Sequence, residues 1–91
     1  MTEKKNDKKI DASFITLAMS VASAAAMSLG LAPDPSTGKT KTDLHMARFN
    51  IDLLEVLEAK TKGNLTKEED DFMKMALKDL KLKFVEVSKN V

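Results

Sequence analysis

Few residues of this 91-residue chain have the types and spacing that chemistry needs. The first group is "STGKTK", Ser36 to Lys41, whose Gly38, Lys39 and Thr40 have the form of the end of a phosphate-cradling loop. Such a loop also needs a glycine five residues before Gly38 and a strand ahead of it. Pro33 stands at that position and a helical stretch precedes it, so nucleotide binding is not expected. The second group surrounds His45, with Asp43, Arg48, Asp52 and Glu55 near it or continuing its side of a helical wheel. Histidine and carboxylate at helical spacing can hold a metal. One histidine, no cysteine and an intervening arginine make a poor donor set, and a solvated face with Arg48 pairing to Asp52 accounts for it better. The acidic run Glu68 to Asp71 is explained by helix capping. No serine, lysine or aspartate has a recognisable base beside it. The expectation is therefore a protein that is not an enzyme, with no catalytic, cofactor-binding or metal-binding residues.

Composition points the same way. Fifteen basic and fourteen acidic residues nearly cancel, so the overall field calls for neither nucleic acid nor an acidic ligand. Cysteine is absent, which suits a reducing compartment. Alanine, leucine, methionine, lysine and glutamate dominate, a palette for helix rather than sheet. Four lysines in "MTEKKNDKK" are diluted by Glu3 and Asp7, and residues 1–10 are expected to be a disordered arm without a base-stacking aromatic.

The elements that must position any site are three predicted helices in residues 11–89, read as one all-α domain: about 11–29, 43–62 and 66–88. Asp11 or Ser13 can cap the first, and Gly30 is its natural left-handed stop. The Pro/Gly-rich linker "LAPDPSTGKTKT" breaks all periodicity. Gly63 ends the second helix, and the short link after it folds the third back antiparallel. Thr66 and Glu69 form a capping box at the start of the third.

The third helix gathers Phe72, Met73, Ala76, Leu77, Leu80, Phe84 and Val87 into an arc of about 140°, a core face, with Met75 and Leu82 as a thin second stripe. The second helix spreads Leu44, Met46, Ala47, Phe49, Ile51, Leu53, Leu54, Val56 and Leu57 over about 240°, more than the edge of a monomeric bundle uses. Asn50 lies inside that arc. Hydrogen bonding to a nearby backbone carbonyl is the preferred reading, and fixing the register of paired helices is the alternative.

Phe14 to Ala32 carries no charged side chain. As a membrane span it is marginal, because its strong inserters supply roughly −2 to −3.5 kcal/mol before its hydroxyls subtract. As a signal peptide, with Ala22-Ser23-Ala24 or Ala24-Ala25-Ala26 at the cleavage position, it has too many hydroxyls and its loss would uncover the other two helices. Burial against protein explains more: Thr16, Ser20, Ala24 and Ser28 form a ridge of small residues that lets a helix approach closely. The expected interface comprises Thr16, Ser20, Ser23, Ala24, Met27, Met46, Asn50 and Leu53, used in a homo-oligomer, most simply a two-fold dimer with the first helices at the seam.

The "LGLAPDPSTG" linker and "IDLLEVLEAKTKGNLTKEE", with the serine-dotted first helix and the closing "KFVEV", resemble the bacterial family called domain of unknown function 1844. The resemblance runs from about Asp11 to Ser88. It implies small helical proteins of the cytoplasm with no established activity, and it transfers no catalytic or binding residue. It also places the first helix inside the family's domain rather than ahead of it. The expected function is a self-associating helical interaction or structural module that binds no cofactor. The rival is a membrane-surface protein that uses the uncharged helix and the lysine arm.

Overall fold

The computed structural model describes residues 12–90, so the expected arm at 1–10 lies outside the described residues. Three helices pack on one another: α1 (Phe14–Ser28), α2 (Leu44–Lys60) and α3 (Lys67–Lys89). The fold is all-α, as the composition and periodicity predict.

Each helix begins where a side chain can accept a backbone N–H that the first turn leaves unpaired. Ser13 Oγ takes the N–H of Thr16 at 3.1 Å. Asp43 Oδ1 takes that of Met46 at 3.1 Å. At α3 the capping box closes in both directions: Glu69 N–H donates to Thr66 Oγ1 at 3.1 Å, and Thr66 N–H donates to Glu69 Oε1 at 2.8 Å.

The ends are equally local. Beyond α1, Gly30 turns left-handed at φ +78°. Its N–H reaches Met27 O and the N–H of Leu31 reaches Ala26 O, both at 3.0 Å. This is the paired closure that a glycine stop permits. α2 ends at Lys60, short of the predicted 62, as the Thr61 hydroxyl turns back to donate to Leu57 O at 2.6 Å.

The linker is a closed loop rather than a loose tether. Leu29 and Thr42 form an isolated antiparallel bridge, and Asp43 N–H donates to Ser28 O at 2.7 Å. The two ends of the loop therefore meet and send α2 back along α1. Inside it, the Asp34 carboxylate accepts the N–H of Ser36 at 2.8 Å and its hydroxyl at 2.7 Å. Those two bonds hold the Asp34 carboxyl below its ordinary value of 3.8, the side-chain bond contributing most.

The core is small. Ala18, Ala25 and Leu29 come from α1 and its cap, Ala47, Ile51 and Leu54 from α2, and Met73, Leu77 and Leu80 from α3. Ala18, Ala25 and Ala47 have no exposed surface, and α1 meets α2 more extensively than it meets α3. Of the predicted core face of α3, the residues that are not fully buried, Phe72, Ala76, Phe84 and Val87, are partly buried. A Glu55–Lys81 ion pair joins α2 to α3.

Candidate interaction face

The side chains that the sequence singles out for chemistry lie apart from one another. His45 is exposed on the first turn of α2, and Arg48 Nε meets Asp52 Oδ1 at 3.3 Å one turn further on. Gly38 to Lys41 sit in the closed loop and remain exposed. Among the described residues, no three histidine or carboxylate side chains converge as a metal site would require. Lys74 is raised above its usual 10.5, chiefly by its hydrogen bond to Asp70 at 2.8 Å, but this pair is an i,i+4 bridge on the surface.

What converges is apolar. On α1, Leu17 and Ser20 are exposed and Ala24 and Met27 half-buried, and on α2 Met46, Phe49, Leu53 and Val56 are exposed, with Ala24 and Met27 meeting Met46 in one cleft. Leu17 and those four α2 side chains are between 37% and 53% exposed. The hydroxyls add little polarity. Ser20 donates to Thr16 O at 3.0 Å and Ser28 donates to Ala24 O at 2.9 Å, so both protons are held by the helix's own carbonyls.

Asn50 closes the floor between the two helices. It is 8% exposed and its Nδ2 donates to Met46 O at 3.0 Å, the backbone bond that the sequence favours. The same nitrogen lies 3.4 Å from Ser28 Oγ and so ties α2 to α1. Ala24, Met27, Met46 and Asn50 line one cleft, which the loop closes with Asp34, Lys39, Lys41 and Asp43.

The eight residues expected at an interface therefore do not share one side. Ala24, Met27, Met46 and Asn50 come together, Thr16 and Ser20 extend their ridge, and Leu53 continues the α2 row. Ser23 turns away. It lines a separate groove between α1 and α3 with Met19, Ala22, Phe72, Met75 and Leu80. The reason is helical pitch: Ser23 lies 100° round the axis from Ala24, and each groove takes one of them. Leu17, Phe49 and Val56 are bulky and exposed although the expected set omits them. For Phe49 and Val56 the signal was present in the wide apolar arc of α2. No helix among the described residues is long and apolar enough to cross a membrane.

Neither curated proteins nor solved structures give a match to this chain. The sequence profile of one family does match, over residues 11–86, which takes in all three helices but the last residues of α3. The chain belongs to the family described as "Domain of unknown function (DUF1844)".

Proposed function

We propose that this protein is a self-associating helical module that acts by binding rather than catalysis, pairing two copies through the α1–α2 face. The observation that carries the reading is the row of half-exposed Leu17, Met46, Phe49, Leu53 and Val56 on a face whose α1 half holds no charge. At about half exposure each, five such side chains leave on the order of 500 Å² of apolar surface in water, the size of the largest patch on a typical monomer, which is often a functional one. A standard interface covers about 800 Å² on each partner, and the small residues Thr16, Ser20 and Ala24 supply much of the remainder by letting a second helix come close. A two-fold pairing suits such a face because its α1 half is uncharged and offers small residues against which the bulky residues of a second copy can pack.

Light scattering on a sizing column across a range of concentrations tests this. The expected result is a stable mass of two chains that Phe49→Glu converts to one, because the substitution would bury an unpaired charge. A wild-type monomer at every concentration defeats the reading. Flotation with anionic vesicles that salt abolishes would then favour the membrane-surface role.

A further inference from the structure

We propose that Asn50 fixes the register of this self-association, its Oδ1 accepting a hydrogen bond from the second copy. The inference rests on the reading that two copies pair through the α1–α2 face. Among the described residues, Asn50 is the buried polar side chain in a core otherwise built of alanine, leucine, isoleucine and methionine. Its two ends differ. Nδ2 is committed to Met46 O and Ser28 Oγ inside the chain. Oδ1 accepts no hydrogen bond among the described residues, although a buried amide oxygen ordinarily finds a donor. The side chain also lines the cleft of Ala24, Met27 and Met46, whose other lining residues include Asp34, Lys39, Lys41 and Asp43.

A leucine at this position would extend the apolar row and bury more surface. What an amide adds is discrimination. Apolar rows slide past one another at little cost, whereas a carbonyl oxygen sealed into a dry interface without a donor is penalised in every alignment but one that supplies it. Uncharged donors on the α1 ridge of that face are the hydroxyls of Thr16 and Ser20. Ser20 is already committed to Thr16 O, whereas Thr16 Oγ1 meets Ser13 Oγ at 3.0 Å in a contact where either can donate, so the Thr16 proton can turn to a second copy.

The test uses the full chain, which has no cysteine of its own. Arg48→Cys, exposed on the side of α2 that faces away from α1, carries a spin label, and the label-to-label distance is read alongside the mass. With Asn50 present, one narrow distance and a two-chain mass are expected. Asn50→Leu is expected to tighten association about tenfold while splitting the distance into several or raising the mass beyond two chains. Asn50→Ala is expected to split the distance without the tightening. One unchanged distance in both variants overturns the inference and leaves the dimer standing. A loss of helix content in both also overturns it, since Asn50 then serves the fold alone. A monomer with Asn50 in place sinks the underlying self-association reading itself.

Discussion

Gly30 and Thr42 face each other across the mouth of the linker so closely that a Cβ on Gly30 would lie 2.6 Å from Thr42 Oγ1. The contact follows from the bridge between Leu29 and Thr42, which draws both ends of the loop together. One glycine thereby serves twice, as the left-handed stop of α1 and as the clearance that lets α2 begin beside it.

Gly30→Ala pays for both, the left-handed φ and the displacement of Thr42. A loss of about 2–3 kcal/mol is expected. Gly63 has a similar φ of +86° but open space where its Cβ would go, so Gly63→Ala should cost only about 1 kcal/mol. Urea unfolding of both variants at one protein concentration checks the difference, and equal losses would remove the role given to Thr42.

Leu54 has no exposed surface and belongs to the core to which all three helices contribute, whereas Leu82 is 58% exposed. Leu54→Ala should destabilise by about 3 kcal/mol, from lost transfer energy and the cavity left behind. Leu82→Ala should stay within about 0.5 kcal/mol. Thermal melts of the two variants measure the contrast, and a costly Leu82→Ala would mean that the outer stripe of α3 is covered in solution.

The two bonds of the capping box share Thr66 and Glu69, so their losses should couple. Thr66→Ala is expected to cost about 1 kcal/mol and Thr66→Ser much less, because serine keeps the accepting oxygen. Glu69→Ala removes the return bond to Thr66 N–H. The double variant should fall short of the sum of the two losses in a double-mutant cycle read by denaturant unfolding. Strict additivity would show that the two bonds act independently.

Asp34 gives the linker a pH dependence of known sign. Its folded pKa lies below 3.8 because the ionised carboxylate accepts two bonds from Ser36. The folded state therefore binds this proton less readily than the unfolded state does. The contribution to stability is complete above about pH 3.8 and fades as pH falls through the folded value. A carboxyl titration followed by NMR should place Asp34 below the ordinary value, and Ser36→Ala should move it back up. An unmoved titration in Ser36→Ala would assign the depression to some other group.

The helices were legible because their signals are local. Ser13, Asp43 and Thr66 each close a bond to a backbone N–H three residues on, and Gly30 supplies a dihedral that few other residues reach; neither needs a distant neighbour. The core face of α3 was equally plain, since one face of a helix is set by its pitch. The α1 segment begins later than the predicted 11 and α2 ends two residues early, where competing caps such as the Thr61 hydroxyl decide the last turn. The sequence could also say that α1 and α2 carry more apolar surface than a small bundle consumes. It could not say which of it meets in one face. Ser23 and Ala24 are neighbours in the chain and fall into different grooves, while Met27 and Met46, far apart in the chain, line the same one. That sorting depends on how α1 settles between α2 and α3, where the buried core and the closed loop from Leu29 to Thr42 act together, a property of contacts between segments rather than of any segment alone.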